Sequence, residues 1–130
     1  MSVNEIEALA RRFADAFDRF DINAVLEMLA DDVEIIDHVP YRFDDKVSFA
    51  KYLKIASEAV APVSFDFRQL SCRVYGNDSV GIANAYDSFA GVTKDGKGLT
   101  LHGRTTLVFA KQAGQWKIVS AHFSPMPHAA

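Results

Sequence analysis

The chain has 130 residues and a formal net charge of -3, with 14 Lys and Arg against 17 Asp and Glu. With 49% apolar and 24% charged residues it has the make-up of a globular chain, long enough for one hydrophobic core and read as a single domain over residues 1–130. The negative balance, without any cluster of Lys and Arg, argues against a nucleic-acid surface. Cys72 is the only cysteine, which excludes an intrachain disulfide and a cysteine-based zinc site; a small buried hydrophobe is its expected role. No apolar run reaches membrane-spanning length, and the acidic, amphipathic N-terminus does not read as a signal peptide. The expectation is a soluble cytoplasmic protein with neither a membrane nor a nucleic acid as partner.

In chain order, Ile6, Leu9, Phe13, Phe17 and Phe20 recur at three- and four-residue steps and predict a helix over about 3–19. Asp21 can cap a second helix with Val25, Leu26 and Leu29 on its apolar side. Residues 33–39 read as a short strand ending at Pro40. Asp44 or Asp45 can cap a third helix, with Phe49, Tyr52, Leu53 and Ala56 on one face, and Pro62 closes that region. Four strands follow, at 64–75, 80–92, 99–111 and 116–124. Turns at Gly76-Asn77-Asp78, at 94–97 with its Asp-Gly centre, and at Ala113-Gly114 separate them. Short connections between successive strands give an antiparallel meander. Helices gathered ahead of the strands give an α+β fold with the helices packed on one face of the sheet.

The strand over 99–111 divides into two faces. Leu99, Leu101, Leu107 and Phe109 lie on one, and Thr100, His102, Arg104, Thr106 and Val108 on the other. In one arrangement the apolar face packs on the helices. In the other the mixed face lines a cavity beneath the helices, and the apolar face is covered by a second copy of the chain. Alternation alone does not choose between them. His102, Arg104, Thr106, His122 and Ser124 are an unusual polar content for strands that cover a core, and they point to a cavity that binds or reacts.

The segment 20–40, FDINAVLEMLADDVEIIDHVP, and the segment 103–127, with its Arg-Thr-Thr, Gly-Gln-Trp-Lys-Ile-Val and His-Phe-Ser steps, resemble the NTF2-like superfamily, in particular its SnoaL-like and ketosteroid-isomerase-like branch. The final hairpin is also similar to the association domain of calmodulin-dependent kinase II. The resemblance covers nearly the whole chain. It implies an NTF2-like cone, three N-terminal helices held in a curved, mostly antiparallel sheet around a pocket. A homodimer packed through the outer sheet faces is expected, on the apolar residues Leu99, Leu101, Leu107 and Phe109. The fold hosts isomerases, cyclases, dehydratases and non-catalytic binding modules.

Carried over residue by residue, the isomerase general base falls on Asp37. The tyrosine and aspartic acid of the isomerase oxyanion hole fall on Phe13 and Thr106, and neither supplies the usual strong donor. The expected activity is acid–base chemistry on a small hydrophobic, carbonyl-bearing molecule. Asp37 would be the base, with Arg104 and His122 also catalytic. Phe13, Phe17, Tyr41, Tyr52, Asn84, Tyr86, His102, Thr106 and Phe123 would line the pocket. His38, next to Asp37 on an alternating strand, is expected at the surface or the rim, and His122 roughly opposite Arg104. A binding or oligomerising module with internally paired pocket groups is the alternative. No HxH or HExxH spacing and no phosphate-binding glycine loop is present, so no metal and no cofactor is expected.

Overall fold

Residues 2–38 and 42–126 are described by a computed structural model. The three- and four-residue spacing of its apolar residues makes α1 (Ser2–Asp18) a one-sided helix that buries Ile6, Ala10, Phe13, Ala14 and Ala16. Asp21 caps α2 (Ile22–Glu27), its carboxylate accepting the Ala24 N–H at 3.1 Å. β1 (Leu29–Ile36) and the two-residue β2 (Arg42–Phe43) follow. Asp45 then caps α3 (Lys46–Ala59) by accepting the Ser48 N–H at 2.8 Å. The remaining strands are β3 (Val60–Tyr75), β4 (Val80–Thr93), β5 (Gly98–Gln112) and β6 (Gln115–Pro125).

Two boundaries differ from the sequence reading. β1 starts at Leu29, where Leu-Ala-Asp-Asp shows no alternation, because its register against β6 shifts between Leu29 and Glu34. Pro62 does not end α3; it lies within β3, an edge strand of the sheet, where a missing ladder donor is tolerated.

The sheet order is β2-β1-β6-β5-β4-β3. β3 to β6 form the expected antiparallel meander, whereas β1 pairs with β6 in parallel. The Ile118 N–H donates to the Met28 carbonyl at 2.8 Å and Lys117 Nζ to the Glu27 carbonyl at 2.6 Å, which ties the end of α2 to β6 and aims β1 along it. The helices pack on one face of this curved sheet in an NTF2-like α+β cone, with Phe13, Phe49, Leu107, Phe109 and Ile118 in the core between them.

The inner face of the sheet settles the choice left open for β5. Gly103, Thr105, Leu107 and Phe109 face the helices and are buried, and Arg104 points the other way. The apolar residues Leu107 and Phe109 are therefore not an outer surface awaiting a partner. Among the described residues no helix is long and apolar enough to cross a membrane.

Candidate active site

A cavity of about 260 Å³ opens between α3, the end of α1 and the inner face of the sheet. Its walls are aromatic and aliphatic: Phe17 and Phe20 from the α1 end, Phe49, Tyr52 and Leu53 from α3, and Phe65, Phe89, Leu99, Leu101 and Phe123 from the sheet. Against these walls stand Asp37, His38 and Asp87.

Asp37 and His38 follow β1 immediately, where the chain has left the strand ladder. Strict alternation no longer holds there, so both residues line the cavity. This corrects the expectation from strand alternation that Asp37 and His38 point to opposite faces. Asp37 Oδ1 accepts the His38 backbone N–H at 2.6 Å. Burial raises the Asp37 carboxyl above its ordinary range, and the nearby Asp87 charge adds to the rise. The His38 N–H and the His38 charge oppose it.

Asp87 sits in mid-β4, between Phe67 of β3 and Gly103 of β5. It is 2% exposed; with Thr105 it makes up the buried polar side chains among the described residues. The Thr105 hydroxyl donates to Asp87 Oδ2. Burial is the largest influence on this carboxyl and raises it, opposed by the Thr105 hydrogen bond and the His38 and Arg68 charges, with Asp66 pushing the same way as burial. Asp87 is not among the residues expected from the sequence, although the signal was present. In Ala83-x-Ala85-x-Asp87-x-Phe89 a carboxylate occupies the inward phase of an otherwise apolar row.

The raised Asp87 carboxyl has a consequence for stability. A carboxyl with a folded-state value above its ordinary 3.8 binds protons more tightly when folded, so its contribution is fully present below that value and is lost as pH rises through the folded one. Asp87→Asn removes this dependence. The variant should therefore gain stability relative to the unaltered protein between pH 4 and pH 7, and urea unfolding at both pH values measures the difference. A relative loss over that interval would contradict the sign.

The other expected site residues separate into groups. Phe17, Tyr52 and Phe123 line the cavity. Phe13, 1% exposed, lies behind its wall, edge-on to Phe17 with ring centroids 4.9 Å apart and stacked on Phe123 at 6.2 Å. Tyr41 lies outside the described residues. Arg104, His122, His102, Thr106, Asn84 and Tyr86 are all on the opposite face of the sheet, away from the cavity. There the Thr106 hydroxyl donates to Asn84 Oδ1 at 2.6 Å, Ser88 Oγ lies 2.9 Å from His102 Nδ1, and Arg68 donates to Ser88 at 3.0 Å.

Each misplacement has a cause. On β4 and β5 the pairing runs without a break from Val80–Ala110 to Val92–Gly98, so the even-numbered residues 84, 86, 102, 104 and 106 all face out. The oxyanion-hole aspartate had been carried onto Thr106, but the inward residue is Thr105. On β6, Val108 pairs with Ser120 and Phe109 with Ile118, which leaves Val119 as an extra residue. This bulge reverses the phase: Ala121 and Phe123 turn inward and His122 outward. It also sets His122 opposite Thr106, and Ser124 opposite Arg104.

No group of three or more His, Cys, Asp and Glu is placed to hold a metal ion among the described residues. An apolar cavity with a histidine and two carboxyl groups suits reversible proton transfer to and from a hydrophobic ligand.

The helix-backed, curved sheet is the NTF2-like architecture, and solved structures share it. An NTF2-like superfamily protein from Salmonella enterica serovar Typhimurium is similar at 20% identity, over 99% of this chain and 94% of that one, with a TM-score of 0.84. A ketosteroid isomerase-like protein from Erwinia carotovora atroseptica is similar at 19% identity, over 98% of each chain, with a TM-score of 0.84. An NTF2-like protein of unknown function from Pseudomonas putida is similar at 22% identity, over 95% and 85%, with a TM-score of 0.81. These likenesses concern the fold. The model of the SnoaL-like domain matches residues 6–129, and the chain belongs to that family. No curated protein matches it in sequence.

Proposed function

We propose that the protein binds a small hydrophobic, carbonyl-bearing molecule in this cavity and acts on it by acid–base chemistry, as an isomerase, cyclase or dehydratase, with Asp37 as general base. The observation that carries this reading is the pair of carboxyl groups, both shifted up by burial, at one apolar-walled cavity. A carboxylate with raised proton affinity is better matched to taking a weakly acidic proton from carbon. The test is deuterium exchange. The protein is incubated in D2O with a panel of hydrophobic cyclic ketones and enones, and incorporation beside the carbonyl is read by mass spectrometry. Exchange above the buffer rate supports the reading, and its absence across the panel removes it.

A second reading has its own support. Asp37 is engaged by the His38 N–H and Asp87 by the Thr105 hydroxyl, the internal pairing expected of a non-catalytic ligand-binding module. Binding of the same ketones without exchange would favour it.

The assembly we propose is a homodimer, now through the outer sheet face that carries Tyr86 at 41% exposure together with Arg104 and His122. The expected result by light scattering at micromolar concentration is twice the 14.4 kDa chain mass; a monomer mass excludes it.

A further inference from the structure

Gly103 is paired with Asp87 across β4 and β5, on the inner face of the sheet. Its backbone is not in the left-handed region, so conformational freedom does not explain a glycine here. Space does. A Cβ at this position would lie 2.7 Å from the Ser124 carbonyl oxygen, 2.8 Å from His38 Nε2 and 2.9 Å from Asp87 Oδ1. The missing side chain lets an imidazole from the segment after β1 and a carboxyl group from β4 converge over the β5 backbone.

The convergence divides the labour between the two groups. Asp87 is 2% exposed, its Oδ2 is occupied by the Thr105 hydroxyl, and its Oδ1 lies over Gly103 on the side where His38 Nε2 also stands. It is thus better placed to meet the imidazole than a ligand. His38 is half-buried and lines the cavity. A carboxylate beside one ring nitrogen fixes the tautomer and leaves the other nitrogen to exchange a proton.

We propose that His38 is a catalytic residue of the cavity, and that Asp87 and Gly103 are positioning residues that aim its imidazole. The inference rests on the reading of the cavity as a site of proton transfer. In the reacting site Nε2–H turns to Asp87 Oδ1, which stands on the same side of Gly103 without a hydrogen bond to the ring in the structure, and Nδ1 serves the ligand. The Asp37 carboxylate takes a proton from the carbon beside the carbonyl. That C–H bond breaks, its electron pair forms a C=C bond, and the carbonyl π pair moves to oxygen, which takes the Nδ1 proton of the imidazolium. In the return step the enol O–H proton goes back to Nδ1 as C=O re-forms, and the Asp37 acid delivers its proton to carbon. Both groups recover their starting charge, and in an enone only the double bond has moved.

Two experiments on the intact protein test this. Long-range 1H–15N spectra, with His38 assigned by comparison with His38→Gln, report which ring nitrogen carries the proton when the ring is neutral. The expected result is Nε2–H in the unaltered protein and a mixture of tautomers in Gly103→Ala and Asp87→Ala. If those variants do not fold, the unaltered spectrum decides alone, and a ring protonated at Nδ1 overturns the proposal. In the deuterium-exchange assay, His38→Gln should lower the rate about 100-fold. Exchange that is lost in Asp37→Asn but kept in His38→Gln overturns this inference and leaves the proposed function standing. No exchange by the unaltered protein overturns both.

Discussion

Asp37→Asn is expected to reduce deuterium exchange of a hydrophobic ketone by about 100-fold or more, the usual loss on removing a positioned base. The amide is nearly isosteric with the carboxylate, and its oxygen can still accept the His38 N–H that Asp37 Oδ1 accepts at 2.6 Å, so the local turn is retained. What is lost is the capacity to take a proton. Ketone affinity should therefore stay within a few-fold while the exchange rate collapses, a split that mere distortion of the cavity would not produce. Stability at neutral pH should not fall, because the variant removes a charge that burial disfavours. An unchanged exchange rate in Asp37→Asn would show that the base lies elsewhere.

Phe13→Ala should cost about 3–5 kcal/mol of folding stability, the range for truncating a buried phenylalanine. The ring is 1% exposed and packs against Phe17, Phe67 and Phe123, with centroids 4.9, 6.1 and 6.2 Å away. It therefore joins α1 to both β3 and β6. Phe17 and Phe123 also form cavity wall, so the space left by the ring lies directly behind the cavity, and the ketone binding proposed for it should weaken along with stability. Urea unfolding measures the first effect and ketone titration the second. A loss below about 1 kcal/mol would mean that the neighbouring aromatic rings close over the gap.

Much of the architecture could be read from residue patterns, because those patterns record local physics. The spacing of Ile6, Phe13 and Phe17, the caps at Asp21 and Asp45, and the turns at Gly76, at Gly96 and at Ala113-Gly114 are each decided within a few residues. The site was less legible because its geometry depends on phase across strands. A bulge at Val119 reversed the face of His122, and no pattern in Trp-Lys-Ile-Val-Ser-Ala announces it. Arg104 was misplaced for a different reason. Alternation set it opposite Leu107 and Phe109 but left open which face turns inward, and the family comparison chose the wrong one. Asp87 was overlooked because a single aspartate in a strand reads as surface unless its phase is followed, and Gly103 because the absence of a side chain gives a pattern search nothing to find. His38 was misjudged by extending strand alternation one turn of chain beyond Ile36, where the ladder had already ended.

The parallel pairing of β1 with β6 also bears on the order in which the molecule can be made. Ile36 is held opposite His122, so the strand that presents Asp37 finds its place only once a segment more than eighty residues later has docked beside it. On a ribosome, β3, β4 and the start of β5 emerge first and can pair among themselves, which brings Asp87 and Gly103 together early. Asp37 and His38 must wait for β6. The nascent chain thus carries half of its polar cluster until synthesis has passed the last strand, and the chemistry proposed for this cavity would belong to the finished sheet alone.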